Sequence, residues 1–152
     1  MLEPNLLNEI KNQFKLPIAS LHGLSHWKRV EVMGRRLSAS TKADMTVVTH
    51  FAYVHDSQRQ SEDVDPSHAE RAAIYCEQLY QQGVLKITKK QYSQLLYACK
   101  FHSDTKAKTD DVTIATCWDA DRLDLIRLGI ILYSGFLFTS CAKEFCEKNS
   151  NL

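Results

Sequence analysis

The sequence has few residues that make turns, with 5 glycines and 3 prolines among its 152 residues. A fold of many strands needs a tight turn between neighbouring strands, and such turns depend on glycine and proline. The shortage therefore favours an all-α fold. Hydrophobic residues make up 44% of the chain, which is enough for the core of one domain and excludes an intrinsically disordered chain.

The sequence also lacks an excess of one charge and a long apolar run. Its 19 Lys and Arg residues nearly balance its 18 Asp and Glu residues, so we expect no broad electrostatic binding to polymeric nucleic acid or an anionic membrane. The longest uncharged stretch, between Arg127 and Lys143, has 15 residues and includes Ser, Thr and Gly. A membrane span needs roughly 20 largely apolar residues, so we predict a buried segment there.

The cysteine pattern and the first residues indicate the compartment. The 5 cysteines are odd in number and form no CxxC pair, which disfavours a disulfide framework or a cysteine zinc site. Cys99 and Cys117 lie among apolar residues and are predicted to belong to the core. The opening residues, MLEPNLLNEIKNQF, lack the basic start and apolar run of a signal peptide. We therefore expect a cytoplasmic protein.

Apolar residues at helical spacing predict six or seven helices in a single domain that covers residues 1–152. Asp44 and Thr88 are predicted N-caps, and Gly83 predicts a helix end. Asp65 is a third predicted N-cap, with Pro66 at the first helical position. The predicted helices cover residues 5–15, 26–40, 44–55, 65–82, 88–102 and 111–128, followed by a mixed apolar segment.

Five of the predicted helices place a histidine or an aspartate on the apolar side. These residues are His26, His55 with Asp56 at the helix end, His68, His102 and Asp121. A single buried histidine is ordinarily a hydrogen-bonded core residue, but burying several such groups, including unpaired carboxylates, is costly. A divalent cation bound by imidazole nitrogens and carboxylate oxygens would offset this cost. The pattern therefore predicts a shared metal site.

Four of these residues, His26, His55, Asp56 and Asp121, occur in three segments, HGLSHWKRV, HDSQR and CWDADRLDL. Together the segments resemble the H…HD…D signature of the HD-domain superfamily of metal-dependent phosphohydrolases. The resemblance extends over residues 21–132 and is closest to small stand-alone HD proteins. It implies a helical fold in which the first metal is held by His26, His55, Asp56 and Asp121. His68 and His102 resemble two further histidines that hold a second metal in some members.

Two assignments stay open at this point. The family pattern puts a ligand directly before Arg-Leu, which favours Asp121, but Asp119 also faces apolar positions. His22 lies four residues before His26, and H-x-x-x-H on a helix can clamp one metal ion, although a glycine between them weakens the helix. His50 lies off the apolar stripe of its helix and is predicted to be on the surface.

The resemblance also implies the chemistry. The ligand set suits one or two divalent ions of Mn, Fe, Mg, Ni, Co or Zn, which would activate a water molecule. Asp56 could in addition accept or help to transfer the proton of that water. Arg59 and Arg122 are candidates to bind a phosphate through their planar guanidinium groups. For Arg29 a surface ion pair is the favoured role, and Asp124 could fix an imidazole or an arginine.

We expect an enzyme that hydrolyses a phosphomonoester or phosphoanhydride of a small, nucleotide-like molecule. The alternatives are a non-catalytic HD module that binds metal or nucleotide, and a di-iron oxygenase of the HD type. The expected partner is a small phosphorylated molecule, with no membrane and no polymeric nucleic acid. The chain is expected to be a monomer or a homodimer, because the apolar segment 128–137 can cover its own core or a partner.

Overall fold

The computed structural model describes residues 1–149 and confirms the all-α fold. Within that range the chain forms seven α-helices, two short 3-10 helices and no strand. The α-helices are α1 (Pro4–Gln13), α2 (Leu24–Thr41), α3 (Met45–Val54), α4 (His68–Gln81), α5 (Lys89–Phe101), α6 (Val112–Leu123) and α7 (Ser140–Asn149). The 3-10 helices are Asp124–Leu128 and Ser134–Phe136. No helix among the described residues is long and apolar enough to cross a bilayer.

Local side-chain chemistry starts and stops several helices as the sequence predicts. The Asp44 carboxylate accepts hydrogen bonds from two backbone N–H groups of the first turn of α3. Thr88 and Gln91 form a reciprocal capping box at the start of α5. Gly83 has a φ of 71°, a left-handed conformation that side chains disfavour, and it follows the end of α4.

The prediction that Asp65 and Pro66 begin α4 is wrong. The helix begins at His68, and Asp65 lies in the preceding turn. Its carboxylate accepts hydrogen bonds from the Arg71 guanidinium at 2.6 and 2.7 Å and from the Gln60 N–H at 2.8 Å. Asp65 therefore ties the loop to the side of α4 and does not cap it.

Two boundaries near the C-terminus also differ from the sequence prediction. The helix predicted over residues 111–128 is α-helical only to Leu123 and then tightens into a 3-10 helix that ends at Gly129, whose φ is 73°. The segment predicted to be mixed and apolar contains α7. Its start is bound by Asp119, whose carboxylate accepts hydrogen bonds from the N–H groups of Phe138 and Thr139. This partner is 19 or 20 positions away, so no local pattern reveals it.

The core forms where α2 packs against α3 and α6 and where α5 packs against α3, α4 and α6. Trp27 and Trp118 are fully buried in it, as are Cys99 and Cys117, which confirms the core position of both cysteines. Gly34 permits the close approach of α2 to α3, because a Cβ at this position would lie 2.4 Å from Cγ1 of Val48. This packing brings the ends of five helices to one place.

Candidate metal centre

The meeting helix ends carry the residues predicted to bind metal. They are His26 in the first turn of α2, His55 and Asp56 at the end of α3, His68 at the start of α4, His102 at the end of α5, and Asp121 near the end of α6. All are buried except Asp121, whose side chain is 20% exposed. Five separate helices thus supply one cluster, which a metal ion joining them would hold together.

Three side chains and one oxygen of a fourth form a first group. Nε2 of His26 lies 3.1 Å from Nε2 of His55, and Oδ1 of Asp121 lies 3.4 and 3.3 Å from these two nitrogens. Oδ2 of Asp56 is 3.5 Å from Nε2 of His26 and 3.7 Å from Nε2 of His55. Two nitrogen and two oxygen donors therefore converge from α2, α3 and α6.

The other carboxylate oxygen of Asp56 belongs to a second group. Oδ1 of Asp56 lies 3.4 Å from Nε2 of His68 and 3.5 Å from Nε2 of His102. These two nitrogens are 3.0 Å apart. Asp56 thus lies between the two groups, with one oxygen directed to each.

Backbone carbonyls orient three of the four histidines. In each case Nδ1 donates to a carbonyl oxygen. In the neutral ring, Nε2 then carries a lone pair that points into the cluster. The pairs are His55 with Phe51, His68 with Asp65, and His102 with Cys99. The fourth ring, His26, has its Nδ1 at 2.6 Å from Oδ2 of Asp124. Every Nε2 atom therefore points into the cluster, where it could bind a metal ion.

The cluster requires positive charge. Two imidazole lone pairs 3.0 Å apart repel, so a proton or a cation must lie between His68 and His102. Burial lowers the pKa of His68 to about 4. Burial also opposes the charged form of His102, but a hydrogen bond to Asp56 and the charges of Asp121 and Asp56 together raise its pKa. Burial also opposes the charged form of His26, yet hydrogen bonds to Asp121 and Asp124 raise its pKa to about 9. Imidazole nitrogens and carboxylate oxygens that together require a positive charge fit a divalent cation.

The two aspartates left open by the sequence occupy different surroundings. Oδ1 of Asp121 faces His26 and His55, and Asp119 faces the opposite way, into the turn before α7. Burial raises the pKa of Asp119, which accepts two backbone hydrogen bonds and one from the Thr139 hydroxyl. Burial has the same effect on Asp121, but the charge of His55 and hydrogen bonds from both histidines hold its pKa well below the usual value. Asp121 is therefore the aspartate of α6 in the cluster.

His22 lies at the cluster, although the sequence analysis favours His26 over it. Nδ1 of His22 is 3.0 Å from Oδ2 of Asp56, and the ring is about one fifth exposed. It does not lie on α2, which begins at Leu24, so the H-x-x-x-H helix argument does not apply. The turn over residues 17–23 brings its side chain to Asp56 from the cavity side.

Asp124 organises the rim of the cluster. Its carboxylate accepts hydrogen bonds from Arg29 at 2.8 and 3.3 Å and from Arg127 at 2.7 Å, in addition to its contact with His26. The ion-pair role expected for Arg29 is thus what the structure shows. Arg127 was not among the residues predicted from the sequence, although its spacing of three residues from Asp124 in a helical segment is a signal for this ion pair.

A cavity of about 210 Å³ opens onto the cluster. Arg59 and Arg122 both line it. Arg59 donates from Nε to Oδ1 of Asp56 at 3.2 Å, so this guanidinium is bound to a predicted metal ligand. Arg122 donates to the Phe136 carbonyl at 2.6 Å, and its guanidinium lies over the Phe138 ring. The remaining wall, which the sequence analysis did not identify, consists of Ser103, Thr105, Leu125 and Leu128.

No protein-family model matches the chain, and no curated protein matches it significantly. Among solved structures, it is similar to the crystal structure of a predicted HD superfamily hydrolase from an uncultured Thermotogales bacterium. The TM-score is 0.74, the alignment covers 97% of this chain and 84% of that chain, and the sequences are 25% identical. The chain has the HD-domain fold. The HD-domain fold expected from the H…HD…D resemblance is thereby confirmed.

Proposed function

We propose that this HD-domain protein is a metal-dependent phosphohydrolase that acts on a small phosphorylated, nucleotide-like molecule. The observation that carries the proposal is the position of Asp56, which directs one carboxylate oxygen to His26 and His55 and the other to His68 and His102. The structural neighbour is named a predicted hydrolase, which supports the same reaction class.

In this proposal the first group, with Asp121, and the second group each hold a divalent ion and share Asp56. Such an ion, when bound, lowers the pKa of a water molecule and polarises a phosphoryl oxygen. The histidine rings are already oriented by their Nδ1 hydrogen bonds, so little rearrangement is needed to bind the ion. Either shared carboxylate oxygen can also orient the attacking water.

The residues around Asp56 fix its position and charge. Arg59 donates to Oδ1 and His22 lies within hydrogen-bond distance of Oδ2, so the carboxylate plane is held from both sides. Burial opposes the charged form, but the neighbouring histidines keep the pKa of Asp56 well below its usual value. A carboxylate that stays ionised can bind cations at neutral pH.

The cavity limits the size of the substrate. A volume of about 210 Å³ is below the range of about 300–1,000 Å³ typical of pockets that enclose a drug-sized ligand. We infer that the phosphoryl group enters the cavity beside Arg122, whose planar guanidinium suits phosphate oxygens. The rest of the substrate then lies at the mouth, against Leu125 and Leu128.

Phosphate release from a panel of phosphorylated metabolites and nucleotides, after loading with Mn²⁺, tests the proposal. His55→Ala should lower the rate by more than about 100-fold, because a ligand of the catalytic ion is lost. His50→Ala is the matched control on α3, since His50 bonds only the Thr46 carbonyl, and it should retain the wild-type rate. Equal rates in the two variants would contradict the proposal. Stabilisation by nucleotides without turnover in the wild type would favour a binding module.

A further inference from the structure

An unusual surface follows the 3-10 helix that borders the cavity. Six large apolar side chains are exposed within twelve consecutive residues, and we call them the apolar ridge. The ridge consists of Leu125, Leu128, Ile130, Ile131, Tyr133 and Phe136. Ile131 is 76% exposed and Tyr133 is 68% exposed, while Leu132 between them is buried. This alternation shows that the buried side of the segment already belongs to the core and that the ridge is the opposite side.

The backbone of the ridge has unpaired N–H groups. Residues 130–133 form neither a helix nor a strand, Tyr133 has extended φ and ψ angles, and the four N–H groups donate no hydrogen bond to any residue in the range 1–149. Two of their carbonyls are used, by the Cys146 thiol and by the Phe136 N–H. A segment with exposed apolar side chains and unpaired N–H groups is a surface on which a second segment can pair.

The lack of charge on the ridge favours a partner surface that is also uncharged. No charged residue occurs between Arg127 and Lys143, so the surface offers nothing to a highly charged partner. The charged groups beside the ridge are already bound, because Arg127 forms an ion pair of 2.7 Å with Asp124 and Arg122 donates to the Phe136 carbonyl. In a contact about a twofold axis, each patch meets a copy of itself, and an uncharged apolar patch is complementary to its own copy.

The size of the ridge also fits a contact between two copies. A whole aromatic side chain has about 150–250 Å² of surface. Scaled by the exposed fraction of each member, the six ridge side chains together present apolar surface on the order of 600 Å². A monomer rarely exposes a larger patch than this. A standard interface buries about 800 Å² on each partner, so the ridge supplies most of the area that a stable dimer needs.

We propose that the apolar ridge is the interface of a homodimer in which residues 130–133 of two copies meet about a twofold axis. Ile131 and Tyr133 then pack against their counterparts, and pairing of the two segments satisfies their unpaired N–H groups. Leu125 and Leu128 belong both to the ridge and to the cavity wall, so the second copy covers one side of the cavity mouth. The proposal stands independently of the reaction that the metal centre catalyses.

Sedimentation velocity of the full chain at micromolar concentrations tests this interface. The wild type should sediment as a dimer, and Ile131→Lys should weaken the dimer by at least about tenfold, because like charges meet at the twofold axis. Ile74→Lys is the matched control, since Ile74 is 50% exposed on α4, outside the ridge, and should leave the dimer intact. Tyr133→Lys provides a second, independent disruption.

Circular dichroism establishes that each variant is folded before its mass is interpreted. Because both ridge side chains are largely exposed, the helical content of the two ridge variants should equal that of the Ile74→Lys control, and each variant should unfold in one cooperative transition. A wild type that is monomeric throughout the micromolar range overturns the proposal. A monomer that binds lipid vesicles through the ridge overturns it in the same way. A dimer that both ridge variants leave as stable as the control overturns it as well.

Discussion

Asp124 and His26 are 98 positions apart in the chain, and Oδ2 of Asp124 lies 2.6 Å from Nδ1 of His26. The same carboxylate is bound by Arg29 and Arg127, so it is fixed from three sides. A carboxylate fixed in this way sets the plane of the imidazole and increases the basicity of Nε2. Asp124 is therefore a positioning residue for the cluster, although its side chain does not face the centre.

Removal of this contact should weaken metal binding without removing a ligand. Asp124→Ala frees the His26 ring, and we expect a loss of about 10- to 100-fold in Mn²⁺ affinity, measured by isothermal titration calorimetry. Asp124→Asn retains an oxygen that accepts from Nδ1 and should recover part of the loss. Asp110→Ala, which removes an exposed carboxylate outside the cluster, should bind Mn²⁺ as the wild type does. Unchanged affinity in Asp124→Ala would contradict the positioning role.

Asp119 should behave as a structural residue. In Asp119→Asn, an amide NH₂ faces the N–H donors of Phe138 and Thr139, so at least one buried donor loses its partner. We expect the free energy of unfolding to fall by about 1–3 kcal/mol in urea denaturation. Metal stoichiometry should be unchanged, whereas Asp121→Asn should lose metal and, when compared with the wild type in the absence of metal, keep nearly full stability. Loss of metal in Asp119→Asn, together with loss of stability alone in Asp121→Asn, would show that Asp119 is the ligand.

Gly34 tests the packing that brings α2 against α3. An added methyl group collides with Val48, and the resulting strain exceeds the gain in helix propensity. Gly34→Ala should lower the free energy of unfolding by about 1–2 kcal/mol. The double variant Gly34→Ala/Val48→Ala should lose less than the sum of the two single variants, because the second change makes room for the methyl group. Strict additivity in urea denaturation would show that this contact is not tight.

Asp111 should contribute to the loss of stability in acid. It caps α6, and although burial alone would raise its pKa, hydrogen bonds from Gln94 and from the N–H groups of Ile114 and Thr113 hold the pKa below the usual value. A lowered pKa in the folded state means that its contribution is present above the unfolded value of about 3.9 and disappears as the pH falls through the folded pKa.

The comparison of Asp111→Asn with the wild type isolates this contribution. Asparagine is as good an N-cap but does not titrate in this range, so the stability of the variant should fall less between pH 7 and about pH 3. The free energy of unfolding at the two pH values, measured by urea denaturation, provides the check. Parallel losses in both proteins would mean that Asp111 does not titrate with folding.

Local sequence patterns predicted several helix caps and the burial of His55. The caps at Asp44 and Thr88 act on the next turn of the chain, so sequence alone identified them correctly. His55 could be placed inside because it continues the apolar stripe of α3. The HD resemblance connected it with the other predicted ligands, whose roles in metal binding stay predictions.

What sequence could not reveal depends on distant contacts. The start of α7 is stabilised by Asp119. The Asp65 carboxylate binds the Arg71 guanidinium and does not cap α4. His22 reaches Asp56 through a turn whose shape no periodicity encodes. The prediction of a buried segment between Arg127 and Lys143 is wrong for the apolar ridge, because an uncharged run has the same composition whether it lies in a core or on the surface.

The shared position of Asp56 makes one measurement decisive. After equilibrium dialysis against Mn²⁺, inductively coupled plasma mass spectrometry should find up to two equivalents per chain in the wild type and in His50→Ala. Asp56→Ala should lose binding in both groups, because each of its oxygens faces one of them. A wild type that binds no divalent metal, or an Asp56→Ala protein that binds as much as the wild type, would contradict the account.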